Sequence, residues 1–412
     1  MRLSKEEIGI LQELAEQYME IAALPSQKET KGLWEDLNRC NMQRPLVVID
    51  QIPWHEMDVD GFLKNQITEP YWRGVETELR RTIYKWRHMP ADMVFNPYIV
   101  LPRPITNTGY GIKILEEVVT TDIRNDVVSH QFENQLKEYE DLEKIVTPKA
   151  ILDTAAEKEI RQQAEIIFDG IAPFVMTGIT MHLGIWDAIS QWMGVESIYI
   201  DLIERPEFLH ALMEKLTVST ITLIEQMNRD KLFDVYSNMC HCSYTFSDDL
   251  PPASSDKNAP ISGDVWAFGL AQLFTSVSPA VTAEFEAAYM ERIFPYFGAI
   301  YYGCCDRLDD RLDVITRLPG IRKISCSPWS KREVFAEKLP RGYVMSNKPN
   351  PAVLAASTVD IAEARRDIRR TVDAAKKFNT PLEIILKDIS TLQYEPQRLW
   401  EWSKMALEEV KK

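Results

Sequence analysis

Phe297-Gly-Ala-Ile-Tyr-Tyr302 runs directly into Gly303-Cys-Cys-Asp306 and then into Arg307-Leu-Asp-Asp-Arg-Leu-Asp-Val-Ile-Thr-Arg317. A short apolar run, then thiols and a carboxylate, then apolar residues at helical spacing predict a strand, a loop and a helix. A β/α protein presents its chemistry in this way, at the carboxyl ends of its strands.

The same alternation extends to both sides. Pro45-Leu-Val-Val-Ile-Asp50 reads as a buried strand that stops at Gln51-Ile-Pro-Trp-His-Glu56. An apolar run covers 92–101, and strands are expected at 173–179, 232–238, 297–303, 321–326, 342–346 and 382–387. Helical spacing covers 5–23, 26–39, 70–88, 184–203, 206–229, 279–296, 307–317, 331–339 and 359–378. Strands alternating with crossover helices predict an α/β fold, a single (β/α)8 barrel of TIM type over 41–412. A helical extension over 1–40 precedes it, and an insertion with short strands is expected near 110–130.

Composition narrows the function. With 412 residues and 45% hydrophobic content, the chain can bury a large core. A formal net charge of -15 argues against nucleic acid or an anionic membrane as partner, because phosphate is neutralised by clustered Lys and Arg. The basic stretch Arg365-Arg-Asp-Ile-Arg-Arg370 is interleaved with acids at helical spacing and reads as a solvated helix face. No apolar run reaches the length of a membrane span, and Met1-Arg-Leu-Ser-Lys-Glu-Glu7 is too charged for a signal peptide, so a cytoplasmic protein is expected. In that compartment the six cysteines are free thiols, metal ligands or core residues. Cys240, Cys242, Cys304, Cys305 and Cys326 are grouped, which invites a metal reading.

The strand ends carry the candidate residues. The first brings Trp54, His55 and Glu56, a later one His182, Trp186 and Asp187, and the next Cys240, His241 and Cys242. Then come Tyr302, Cys304 and Asp306, then Cys326 and Trp329, and last Lys387 and Asp388. Tryptophans are more often packing residues than ligand platforms, but three of them at strand ends also suit an aromatic-accepting pocket. His55 beside Glu56 is a loop pair or a catalytic one, Lys387 with Asp388 a substrate contact or a rim ion pair, and Cys326 a site thiol or core. Cys304 and His241, from two loops, are the candidate metal ligands, an S/N combination that suits zinc. Neighbours on an extended segment point to opposite faces, so at most one member of each adjacent pair is expected at one metal.

The segment from Trp266 through Asn350 resembles the uroporphyrinogen decarboxylase superfamily. The similarity rests on Ser278-Pro-Ala with its following helix, Tyr302-Gly-Cys-Cys-Asp306, Ile324-Ser-Cys-Ser-Pro-Trp329 and Ser346-Asn-Lys-Pro-Asn-Pro351. Weaker similarity covers Arg44-Pro-Leu-Val-Val-Ile-Asp-Gln-Ile-Pro-Trp-His-Glu56 and Leu79-Arg-Arg-Thr-Ile-Tyr-Lys-Trp-Arg-His88. The resemblance implies a single β/α barrel and offers two activities, porphyrinogen decarboxylation and corrinoid-linked methyl transfer. The decarboxylases carry an arginine-rich segment after the first strand, where this chain has Gln51-Ile-Pro-Trp-His-Glu-Met57 and no arginine. Such a cleft does not collect a polyanion.

Zinc-dependent methyltransferases of the superfamily carry His-x-Cys where this chain has Tyr302-x-Cys304, and a later cysteine that has no counterpart after Cys326; only Cys304 matches. The resemblance therefore implies the substrate-side methyltransferase of anaerobic O-demethylase systems. Such an enzyme takes methyl from a small methoxylated compound, here an aryl methyl ether, and gives it to the cobalt(I) corrinoid (cobalamin) of a partner protein. His241, Tyr302, Asp306 and His182 are the candidate donors to the leaving oxygen. Trp54, Trp186 and Trp329, with His55, Glu56, Asp187 and Lys387, are the expected substrate contacts, and a zinc ion on Cys304 and His241 is left open. The alternatives are a decarboxylase or a non-catalytic barrel that binds a small molecule or corrinoid.

Overall fold

The computed structural model of the chain describes residues 3–120, 128–250 and 259–412. Seven short strands form one parallel sheet: β1 Leu46–Ile49, β2 His182–Leu183, β3 Trp266–Gly269, β4 Ala299–Tyr302, β5 Ile321–Cys326, β6 Val344–Asn347 and β7 Leu382–Leu386. Their order is β1-β7-β6-β5-β4-β3-β2. β1, β3, β4, β6 and β7 are buried at every residue, as in a parallel sheet covered on both faces.

Alternation along the strands divides two cores. Val47, Ile49, Ile300, Tyr302, Ile324, Met345, Ile384 and Leu386 pack against the surrounding helices. Their neighbours Leu46, Val48, Trp266, Phe268, Ala299, Tyr301, Val344 and Ile385 face the other way and share a core with Trp34 and Leu37. On this inner face Tyr301 of β4 bonds Ser346 of β6, and Lys323 of β5 bonds Glu383 of β7. Each contact reaches over the strand between, so the sheet curls toward this face.

The first helices form where the periodicity places them: α1 Lys5–Ala22, α2 Pro25–Asn38 and α3 Pro70–His88. Ser4 and Glu7 close a capping box that starts α1. α2 carries Trp34, whose indole nitrogen donates to the Asp92 carbonyl at 2.7 Å, into the inner core. α1 and α3 pack instead with the helix Thr154–Phe168 in a separate cluster.

Several expectations are corrected. The ladder runs over seven strands, and Ile99–Pro102 pairs with Phe174–Thr177 as a ladder of its own, an arrangement compatible with the expected TIM-type fold. The strand expected at 232–238 is reduced to one parallel bridge between Ile179 and Phe233, because Asp234 turns the chain by accepting the Tyr236 amide. The helix expected at 307–317 shrinks to Leu312–Ile315. Arg311 is buried, and its guanidinium takes the Phe274 and Val277 carbonyls and Thr282 Oγ1, a demand that overrides local periodicity. The helix expected at 184–203 is two, Ile185–Met193 and Val195–Glu204, broken at Gly194 with φ +74°. β3 was not expected: Trp-Ala-Phe-Gly is short and has no β-branched residue. In the insertion, Glu116–Val119 pairs with Ser129–Phe132, while 121–127 lie outside the described residues. No helix among the described residues is long and apolar enough to cross a membrane.

Candidate active site at the strand ends

Polar side chains rise along the inner face in layers. Deepest are Lys323, Glu383 and Ser243: the ammonium lies 2.8 Å from Glu383 Oε2 and 2.6 Å from Ser243 Oγ, with both charged side chains fully buried. Above them Tyr301 shares a hydrogen bond with Ser346 Oγ at 2.7 Å and accepts from Lys348 Nζ at 2.5 Å. At the strand ends Lys387 Nζ lies 2.8 Å from Cys304 Sγ and 2.9 Å from His241 Nε2, and those two atoms are 3.3 Å apart. Cys305 Sγ is 3.5 Å from Cys304 Sγ and donates to Asp388 Oδ2 at 3.0 Å.

Local backbone brings these groups together. β4 ends at Gly303, whose φ of +87° turns the chain so that both following thiols come to one place. This corrects the expectation that adjacent cysteines diverge, which holds only while the segment stays extended. The loop is then pinned: Asp306 Oδ1 accepts the Cys304 amide at 2.8 Å, and Ser325 Oγ donates to the Cys304 carbonyl at 2.5 Å. A methyl group at position 303 would meet Leu308 Cδ1 at 2.6 Å and Ser325 Cβ at 3.1 Å. Gly303→Ala is therefore expected to destabilise the protein by about 1–3 kcal/mol and to abolish the selective reactivity of Cys304, read by urea unfolding and thiol alkylation.

His241 occupies the turn between Met239–Cys240 and Ser243–Tyr244 with φ +54°, and Asp388 follows β7 with φ +56°. Left-handed backbone at non-glycine residues is sparsely populated and clusters at functional sites. The His241 ring stacks on Phe268 at 3.9 Å and 9°, which fixes the direction of its nitrogens.

The thiols divide by environment. Burial pushes Cys240 up, and Cys242 and Cys326 up to about 12, so these are inert core thiols. Cys304 goes the other way. The Cys305 thiol beside it, with the Lys387 ammonium, holds it well below the ordinary thiol range against the cost of burial. Cys305 is pushed up by the same neighbour and keeps its proton. Burial disfavours the Lys387 charge, but Cys242, Cys304 and Asp388 outweigh it and the ammonium is raised. Burial pushes His241 down, leaving a neutral imidazole that accepts from Lys387. His182, the first residue of β2, is lowered by desolvation and then by His241; its ring lies 6.3 Å from that of His241.

A second titratable group lies behind this array. Burial pushes Asp187 up to about 6 against a hydrogen bond from Gln272, with Asp306 adding to the shift. Glu286 is fully buried, and desolvation followed by Asp187 holds it well above the usual carboxylate range. It sits on a π-turn, Ala283–Ala287, and receives the Tyr302 hydroxyl at 3.4 Å. Sequence reading missed Glu286, because a glutamate among Phe285, Ala287 and Met290 has no local mark of burial.

The expected site residues are not all in one place. Cys304, His241, Lys387 and Asp306 meet as described, with His182 nearby. Tyr302 points to the helix side, and its neighbour Tyr301 faces the thiolate side. Trp186 is fully buried and donates to the Phe285 carbonyl at 3.0 Å, the packing alternative. Trp329 is 66% exposed. Glu56 is buried and accepts from Thr391 Oγ1, the Leu392 amide and the Tyr394 amide, so it tethers the loop after β7. Trp54 and His55 line a cleft of about 770 Å³ that also reaches Asp388, whose carboxylate accepts from Cys305.

No family model matches the chain, and no curated protein matches its sequence. Among solved structures it is similar to a methyltransferase from Methanosarcina mazei, with a TM-score of 0.53 and 13% identity over 93% of this chain and 98% of that one. At that identity the likeness shows a shared fold, and chemistry has to be argued from the side chains.

Proposed function

We propose that the chain is a methyltransferase that demethylates a small aryl methyl ether and passes the methyl group to a cobalt(I) corrinoid carried by a partner protein. It would be a barrel of the uroporphyrinogen decarboxylase type over 41–412, with 1–40 as a helical extension. The observation that carries this reading is the buried Cys304, Lys387 and His241 array at the strand ends of a fold shared with a methyltransferase.

A corrinoid would approach from the strand ends, where His182 and Trp329, both exposed, would meet it or its carrier. When bound, it supplies the nucleophile that receives the methyl group. The remaining work falls to this chain. As the methyl–oxygen bond breaks, the oxygen gains negative charge and departs as phenolate, and an N–H of the Lys387 ammonium would stabilise it by a charge-assisted hydrogen bond without giving up its proton. His241 Nε2, accepting from the same ammonium, aims that proton, and the Cys304 thiolate keeps Lys387 charged beforehand. Asp306 is a positioning residue through the Cys304 amide, and Tyr302 one through Glu286.

Zinc also fits the donor chemistry. Cys304, Cys305 and Asp388 present ligand atoms within 4.8 Å of one another, with His241 Nε2 beside them. There it would act as a Lewis acid on the departing oxygen.

The test is to incubate the protein with a reduced corrinoid protein and a panel of neutral and carboxylated methoxyarenes. Free phenol together with the methylcobalt absorption spectrum is the expected result. Absence of both across the panel, with and without added zinc, overturns the proposal.

A further inference from the structure

We infer that Cys304 and Cys305 are a modification site, at which a peroxide oxidises the Cys304 sulfur and Cys305 then closes a reversible disulfide between the two neighbours. The modification stands on the geometry of the pair. Its effect on methyl transfer rests on the reading of the site as a demethylase.

The first observation is that the two sulfurs have different partners. Lys387 Nζ lies 2.8 Å from Cys304 Sγ, whereas Cys305 Sγ, 3.5 Å from that sulfur, donates to Asp388 Oδ2 at 3.0 Å. One sulfur has a cation against it and the other a base, which pairs an attacking thiolate with a resolving thiol. In the first step the Cys304 sulfur attacks a peroxide oxygen, the O–O bond breaks and hydroxide leaves, giving a sulfenic acid. In the second, Cys305 passes its proton to Asp388, its sulfur attacks Cys304 Sγ, and the S–O bond breaks. The departing hydroxide and the Asp388 proton make water. Two electrons pass from the sulfurs to hydrogen peroxide, which ends as water and hydroxide.

The second observation is access and freedom to close. Cys304 is buried, but Cys305 is half-buried, and its partner Asp388 lines the 770 Å³ cleft, through which a small oxidant reaches the pair. Asp306 and Ser325 pin the Cys304 amide and carbonyl, while the Cys305 amide and carbonyl make no hydrogen bond among the described residues. Cys305 therefore turns toward Cys304 without undoing the loop.

The third is the charge left behind. Oxidation takes the thiolate from beside Lys387 and the thiol proton from Asp388, and these two groups are already 3.3 Å apart. The oxidised site keeps its buried ammonium paired, but with Asp388 in place of Cys304. Consecutive Cα atoms are about 3.8 Å apart, less than the roughly 4.4–6.8 Å of ordinary disulfides, so such a bond is strained and readily reduced. The modification is thus reversible.

The test treats the full chain, freed of metal by a chelator, with hydrogen peroxide and measures the masses of its tryptic peptides. Peptide 293–307 holds Cys304 and Cys305 and no other cysteine. It is expected to lose two hydrogen atoms together with its reactivity toward iodoacetamide, and to regain both with dithiothreitol. In Cys305→Ser the same peptide should carry a sulfenic acid that dimedone traps, and in Cys304→Ser it should react with peroxide about tenfold or more slowly than in the parent. A parent peptide that stays reduced, gains oxygen without forming the disulfide, or links to another cysteine overturns the inference. Methyl transfer by the same samples should fall about tenfold or more on oxidation and recover on reduction; full activity in the oxidised form overturns the effect on transfer. The two readings fail separately. A reversible disulfide in a chain that transfers no methyl leaves the modification standing and removes the demethylase, whereas transfer by a chain whose peptide stays reduced under peroxide does the reverse.

Discussion

Lys387→Met is expected to reduce methyl transfer on the order of 100- to 1,000-fold and to raise the ionisation of Cys304 toward the ordinary thiol range. The chain contains its own control. Cys242 and Cys326, buried without a cation in contact, are pushed up to about 12, while Cys304 lies well below the ordinary thiol value of 9.0. The Cys305 thiol and His241 remain in the variant, but the ammonium at 2.8 Å does not, and a buried thiolate without its counter-charge takes up a proton. Thiolate absorbance in the ultraviolet, followed against pH, measures this directly.

The sign of the accompanying stability change follows from the same shift. Cys304 is an acid whose ionisation in the folded protein lies below its unfolded value, so its contribution is complete above 9.0 and is lost as pH falls toward the folded value. In Lys387→Met that window narrows from the acid side. The variant should lose more stability near neutral pH than in acid, where the thiol is protonated in either protein. A thiolate titration identical in variant and parent would remove Lys387 from the account.

Glu383→Leu is expected to cost about 3–5 kcal/mol of stability, because it leaves the Lys323 ammonium fully buried without its carboxylate. The pair sits on the inner face below the site, where burial already pushes Lys323 down and the partners left to it are neutral, Ser243 Oγ at 2.6 Å and the Tyr244 carbonyl at 3.0 Å. The double change Lys323→Met with Glu383→Leu should recover most of the loss, since matched apolar groups remove the desolvation cost as well as the attraction. Ser243 Oγ, which bonds both charges, keeps the recovery from being complete. Urea midpoints for the two singles and the double measure the coupling. Equal, small losses in both singles would mean that water reaches this layer.

Much of the fold is legible from local pattern. The strands at 46–49, 299–302, 321–326, 344–347 and 382–386 fall where apolar runs meet turn residues, and α3 spans the 70–88 predicted from its spacing. The misses share a cause. The helix at 307–317 gave way because buried Arg311 needs acceptors from 274–282, and the strand at 232–238 because Asp234 captures nearby amides. β3 carries no β-branched signal, and only its pairing with β2 and β4 makes it a strand.

Sequence by itself determined the alternation of strands and helices, the apolar faces, and the fact that thiols, imidazoles and carboxylates sit just beyond strand ends. These are properties of neighbours within a few positions, and helical or extended periodicity expresses them directly. Tertiary structure decided which of those groups meet. Cys304, His241 and Lys387 come from loops 63 and 83 residues apart from Cys304, and Arg81 reaches Trp54 from a helix that follows it. It also decided that Tyr302 turns to the helices while Tyr301 faces the thiolate side, a one-residue choice of sheet face. Charge states belong to the same class of information. A thiol becomes a thiolate only where a donor and a cation lie within about 3–4 Å, a distance that folding sets and sequence order does not.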